Sequence, residues 1–80
     1  MEAIVDDHVM REAIAKEYGF SLFRQYEEKQ VAHILSKDIS TLKRWRKKGL
    51  TKFVRMGERE VAYLGVNIAD MLIRGVKEDG

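Results

Sequence analysis

Residues 38–48 read Asp38-Ile39-Ser40-Thr41-Leu42-Lys43-Arg44-Trp45-Arg46-Lys47-Lys48, and Gly49 follows. The run is expected to form one short helix of about three turns. Asp38 is placed to cap it, because its carboxylate can accept a hydrogen bond from a free amide of the first turn. Gly49 can take the left-handed conformation that ends it. Ile39, Leu42 and Trp45 recur at helical spacing and are expected to face a core. Lys43, Arg44, Lys47 and Lys48 project elsewhere, with no carboxylate after Asp38 to neutralise them. A short helix with one buried seam and a basic outer face suits the major groove of DNA. A solvated surface helix is the ordinary alternative for such a charge run.

The charge around this helix narrows the choice. The net charge of +2 hides an asymmetry. Residues 31–59 hold nine Lys and Arg against Asp38 and Glu58, or +7, whereas residues 1–30 carry −3 and residues 60–80 carry −2. Positive charge gathered in the middle third is a footprint for a polyanion.

Eighty residues allow one small domain, burying only about 60–65% of its unfolded surface. Cysteine and proline are absent, so no disulfide or cysteine-based metal site can staple the core. His8 and His33 are isolated and do not make a zinc site. His8 reads as solvated among Asp residues, and His33 as a surface or phosphate-adjacent side chain. No run of about 18 apolar residues and no basic-then-apolar leader is present. A soluble, cytoplasmic chain without a membrane contact or a cofactor is expected.

On the N-terminal side, residues 1–18 carry a helical pattern. Asp6 or Asp7 can cap it, Val9, Met10, Ala13, Ile14 and Tyr18 form its stripe, and Gly19 can stop it. Phe20, Leu22 and Phe23 follow as an apolar connector expected in the core. Residues 26–36, YEEKQVAHILS, form the next expected helix, with Val31, Ile34 and Leu35 as its seam and Ala32 small enough for a close crossing. Ser36 and Lys37 turn the chain into the basic helix. Two helices so joined are the helix-turn-helix arrangement. After Gly49 the period changes: residues 51–56 and 60–64 are β-prone runs flanking Gly57-Glu58-Arg59, a hairpin pattern with Arg55 and Arg59 near its tip. Asn67 is then placed to cap a last helix with Ile68, Met71 and Leu72 as its seam. Gly75 ends it, and VKEDG is expected to fray.

Helix, turn, basic helix, hairpin, helix is a winged helix-turn-helix order. VAHILSKDISTLKRWRKKGL resembles the opening of MerR-like and excisionase-type domains, which read close to "VAxxLGVSxxTVYRWIxxG". KFVRMGEREVAYLGVNIADMLIRG resembles the AlpA family of phage and prophage regulators, whose second half reads like "KPVKLGERSVGWLESEIDAWI". The resemblance covers residues 26–75 and implies a winged helix-turn-helix DNA-binding domain there, mainly α with a small β-hairpin. Residues 1–25 then form an additional N-terminal helix and connector, and residues 76–80 a tail. It also implies that Ser40, Thr41, Lys43, Arg44 and Lys47, with Lys48 at the helix end, face the groove, that Lys52, Arg55 and Arg59 belong to the wing, and that Leu42 and Trp45 are structural. The chain departs from the family pattern at Asp38 in place of Ser, Lys43 in place of Tyr, Arg46 in place of an apolar residue, and Lys52 about where a Pro is usual. Arg46 is expected either to broaden the basic face or to cover the core edge with its stem.

Double-stranded DNA is thus the expected partner, with transcriptional regulation or excision of a mobile element as the role. Self-association on DNA, as a dimer or cooperatively, and an integrase or polymerase partner are the expected protein contacts. The competing class is an interaction module that docks an acidic replication or recombination protein on the basic face. An enzyme is not expected: the histidines lack an acid or nucleophile partner, Ser21, Ser36 and Ser40 sit in no nucleophile elbow, and the glycines form no phosphate loop.

If Trp45 plugs the core, Trp45→Ala should cost about 3–5 kcal/mol and unfold a domain whose total stability is about 5 kcal/mol. Circular dichroism would decide it: a folded variant that has lost only DNA binding would put the indole at the interface instead.

Overall fold

The computed structural model describes residues 7–77. At residues 36–38 the chain turns between its two central helices. There α2 (Glu28–Leu35) gives way to α3 (Ile39–Lys47). Ser36 adopts φ 57°, and the amides of Ser36 and Lys37 donate to the carbonyls of His33 (3.1 Å) and Ala32 (2.9 Å), which closes α2. Asp38 occupies the N-cap position of α3, but its side chain makes no capping hydrogen bond. Its backbone carbonyl instead accepts from the amides of Thr41 and Leu42. Gly49 has φ +73° just past the helix, as its sequence position requires.

The α2 helix begins two residues later than the sequence pattern suggests. Residues 25–27 are extended as β1 (Gln25–Glu27) and pair antiparallel with β3 (Val61–Leu64), with Tyr26 opposite Tyr63. The Tyr26 ring meets Phe20 edge-on at 6.2 Å, and its hydroxyl accepts from the Ser21 amide at 2.8 Å. Those contacts hold Tyr26 to the connector and outside the helix. The Glu27 amide donates to the Gln30 side chain at 2.9 Å, which starts α2.

β2 (Val54–Arg55) pairs with the other edge of β3, so the sheet order is β1-β3-β2. The expected hairpin is present around residues 57–59, with the Met56 amide donating to the Glu60 carbonyl at 2.8 Å. It supplies two strands of a three-stranded antiparallel sheet, and residues 51–53 lie outside the strands. The result is a small, mainly helical α/β body.

α4 (Gly65–Arg74) starts directly after β3 with Leu64 as its N-cap, so Asn67 lies inside the first turn and caps nothing. Its leading amides are satisfied by the connector: Gly65 donates to the Arg24 carbonyl (3.0 Å) and Val66 to the Leu22 carbonyl (2.8 Å). This crossing needs glycine. A Cβ on Gly65 would overlap the Ser21 carbonyl oxygen and lie 2.7 Å from Leu22 Cα.

α1 (Asp7–Tyr18) packs against α4, on a face other than the expected stripe. Ala15 is buried and Ile14 half-buried, while Val9 (57%), Tyr18 (49%), Met10 and Ala13 are exposed. Arg11 sets the rotation by pairing with Asp70 on α4 at 2.8 and 3.4 Å. Two aromatic and aliphatic assignments also change: Phe23 is 77% exposed and Ile39 is 40% exposed. Asp6 lies outside the described residues, and Asp7 is the first helical residue rather than a preceding cap.

The core sits where α2, α3, β3 and α4 meet. Val31, Leu42, Tyr63 and Ile68 are fully buried, and Trp45 and Ala69 pack with them. Burying each large aliphatic side chain contributes about 1.5–3 kcal/mol. Val76 also rests on this core, so the tail stays attached that far; residues 78–80 lie outside the described part.

Gly65→Ala should destabilise the domain by at least the roughly 1–3 kcal/mol typical of overpacking, because the atoms it meets are backbone. Urea unfolding would read this as a lower midpoint, and an unchanged midpoint would disprove the close crossing.

Candidate nucleic-acid interface

α3 divides its side chains sharply. Leu42 and Trp45 point into the core, and Trp45 is therefore a structural plug. Ser40, Lys43, Arg44, Lys47 and Lys48 lie together around one shallow, open hollow on the outer surface. Thr41, expected on this face, is half-buried and does not line the hollow. Four cations within two turns make a strongly positive surface that can approach a polyanion without moving the helix.

The other residues expected at the interface are dispersed. Lys52 lines a separate hollow with Arg11, Asn67, Asp70 and Arg74. Arg59 stands at the hairpin loop and shares a hollow with Glu27, Glu60 and Met56. Arg55 is exposed on β2, yet its guanidinium lies over the Phe53 ring, 5.8 Å from the centroid, and reaches the Glu58 carbonyl at 3.5 Å.

Arg46 neither joins the basic face nor merely covers the core with its stem. Its Nε donates to Glu28 Oε2 at 3.0 Å and its Nη2 to Oε1 at 3.3 Å. The Tyr63 hydroxyl donates to the same Oε2 at 2.6 Å. The Glu28 side chain is 9% exposed and that of Arg46 19%. The Arg46 guanidinium also lies over Phe53, 5.7 Å from the ring centroid. Such a cation–ring contact is worth about 0.5–1 kcal/mol near a surface.

Burial alone would raise the Glu28 carboxyl, but the hydrogen bonds from Arg46 and Tyr63, with the positive charges of Arg46 and Lys43, hold it below its ordinary value. The Glu28 hydrogen bond raises Arg46 against the effect of its burial. Burial, then the hydrogen bond to Glu28 and its charge, push the Tyr63 phenol up to about 12. The cluster is thus a carboxylate, a guanidinium and a neutral phenol at neutral pH, with one buried acceptor satisfied twice.

No protein-family model, curated protein or solved structure matches the chain. Among the described residues no group of three His, Cys, Asp or Glu side chains is placed to hold a metal ion, and no helix is long and apolar enough to cross a membrane.

Glu28 and Phe53 both matter here, and the sequence signals each to a different degree. Glu28 stands three and four residues before the buried Val31 and Ala32, hence on the same helical face, and a carboxylate on a buried seam signals a partner. Phe53 was visible only as one of a β-prone run.

The cluster predicts a stability profile with two edges. Because the folded carboxyl of Glu28 is lowered from 4.5, its contribution is present above that value and is lost as pH falls through the folded pKa. Because the phenol of Tyr63 is raised from 10.0 to about 12, its contribution is present below pH 10 and is lost as pH rises toward 12. Glu28→Ala should remove about 1–3 kcal/mol by leaving the half-buried Arg46 guanidinium and the buried Tyr63 hydroxyl without their acceptor, whereas Glu28→Leu combined with Arg46→Met and Tyr63→Phe should recover most of it. Thermal melts across pH would check both, and equal loss in the single and triple variants would refute the account.

Proposed function

We propose that the chain is a small sequence-specific double-stranded DNA-binding protein of the winged helix-turn-helix type, with α2 and α3 as its helix-turn-helix and the β2–β3 hairpin as its wing. The role that fits best is transcriptional regulation, or control of excision, in a phage or other mobile element, which would place it on cytoplasmic, nucleoid-associated DNA. The observation that carries this reading is the outer face of α3, where Ser40, Lys43, Arg44, Lys47 and Lys48 gather while Leu42 and Trp45 anchor the helix from behind.

The chemistry divides between affinity and selection. Lys43, Lys47 and Lys48 would displace counterions from phosphates, a contribution blind to sequence and steeply weakened by salt. Arg44 can present a bidentate fork to guanine O6 and N7, and Ser40 near the helix start offers a short, adaptable contact. Arg59 on the hairpin would reach a flanking minor groove, where A·T-rich sequence deepens the negative potential. Single modules of this kind bury roughly 600–1,000 Å², which is little for tight specific binding. Binding beside a second copy on repeated sites would supply the remainder.

Binding to a randomised duplex pool, followed by titration of the recovered sequence against a scrambled duplex over a salt series, tests this. Preference for the recovered duplex and a steep fall with salt support it. Recovery of no preferred duplex at any salt concentration would favour an acidic protein as the natural partner of the basic face. Arg44→Ala should lose about 1–3 kcal/mol on the recovered duplex and much less on the scrambled one. Equal losses on both would reduce Arg44 to a phosphate contact.

A further inference from the structure

We propose that Phe53, with the guanidinium groups of Arg46 and Arg55 over its ring, is a positioning device that fixes the outer strand β2 and the loop of the β2–β3 hairpin relative to α3. On a duplex it would set the spacing between the contact made by α3 and the contact made by the hairpin; this consequence rests on the DNA-binding reading, whereas the brace itself does not.

The outer half of the hairpin needs such a brace. β2 has two residues and pairs with β3 only through Val54 opposite Ala62 and Arg55 opposite Val61. Residues 48–53, which lead from α3 to β2, include no helix or strand. β3 is already tied to α3, because Tyr63 and Arg46 share the Glu28 carboxylate, whereas β2 and the loop reach α3 through the side chains around Phe53. Arg46 belongs to α3, and its guanidinium is held by two hydrogen bonds to the buried Glu28 carboxylate. A planar group held at two points presents a fixed surface. Phe53 lies against that surface at 5.7 Å, and Arg55 of β2 lies over the same ring at 5.8 Å.

Electrostatics explains why two cations can share one ring. Their mutual repulsion would open the stack if both charges were uncompensated. The Glu28 carboxylate offsets Arg46, which leaves Arg55 as the outward charge. The Arg55 guanidinium also reaches the Glu58 carbonyl of the hairpin loop, so the loop is tied into the same chain of contacts. Arg55 is in this view a brace first and a phosphate contact second. Phe53 touches no duplex; it acts through Arg55.

The test compares Phe53→Leu, which keeps an apolar side chain without the ring, with Phe53→Tyr, which keeps the ring. In the free protein, residual dipolar couplings of the amides in residues 54–61 measure the hairpin's orientation to α3. Phe53→Leu is expected to change that orientation and Phe53→Tyr to leave it as in the parent chain. On the duplex recovered from a randomised pool, Phe53→Leu is expected to weaken binding about two- to fivefold, the scale of a surface cation–ring contact. Hydroxyl-radical protection should fade on the flank while guanine-N7 interference under α3 persists, and Phe53→Tyr should restore the flank. Unchanged couplings in Phe53→Leu, or a loss spread evenly over the footprint, would overturn the proposal. If the parent chain recovers no duplex, the DNA reading fails and the couplings alone decide the brace. Should Phe53→Leu unfold, Arg55→Lys gives the same readings, because an ammonium keeps the charge but loses the guanidinium that reaches both the Phe53 ring and the Glu58 carbonyl.

Discussion

The Glu28 carboxylate joins three elements that are distant in sequence. It stands in the first turn of α2, receives Arg46 from α3, and receives the Tyr63 hydroxyl from β3. Such an arrangement is weak evidence for net stability, since removing two charges from water costs about as much as their attraction returns. Its effect is on geometry. An apolar contact among α2, α3 and β3 would tolerate a rotation of α3 about its axis, whereas a two-point guanidinium–carboxylate pair does not. Turning α3 would strand Arg46 and Glu28 together, and that penalty exceeds the loss of a methyl contact. The direction in which α3 shows its cations is therefore fixed from inside the core.

This division changes the meaning of the charge count. The central third holds nine cations, but Arg46 is neutralised internally and Arg55 is engaged with Phe53 and the Glu58 carbonyl. The cations around the α3 hollow are Lys43, Arg44, Lys47 and Lys48. Elsewhere acids and bases meet each other: Arg11 and Arg74 both approach Asp70, at 2.8 and 3.8 Å, and His8 faces Glu12 at 3.4 Å. Charge is thus used for cohesion at the α1–α4 junction and for display along α3.

The sequence made the parts governed by local rules legible. The bounds of α3, the burial of Leu42 and Trp45, the glycine behind the helix and the hairpin around residues 57–59 all follow from spacing and turn chemistry. Features set by distant contacts were not. β1 exists because β3 lies beside Tyr26, and nothing within YEEKQ distinguishes an extended Tyr26 from the start of a helix. α1 offers two overlapping faces, and the more apolar one, with Val9, Met10 and Ala13, lost to the face that carries Arg11, Ile14 and Ala15. The decisive contact, Arg11 with Asp70, spans 59 positions. For the interface, the cations of α3 were readable from their spacing, but the removal of Arg46 required knowing that Glu28 faces it.

The pairing of Arg46 was nevertheless foreshadowed by two local signs taken together. Arg46 stands four residues after the buried Leu42 and one after Trp45, so its stem must cross the buried edge of α3. Glu28 lies on the seam of α2 for the same reason. Opposite charges on the buried edges of consecutive helices are hard to satisfy apart, because each would be desolvated without a partner. Placed together, they align the two helices and take one cation from the display. An apolar residue at position 46 would leave the outer cations where they are but free α3 to turn under them. A charged residue there acts on the outer face without belonging to it, holding in place the cations that α3 displays.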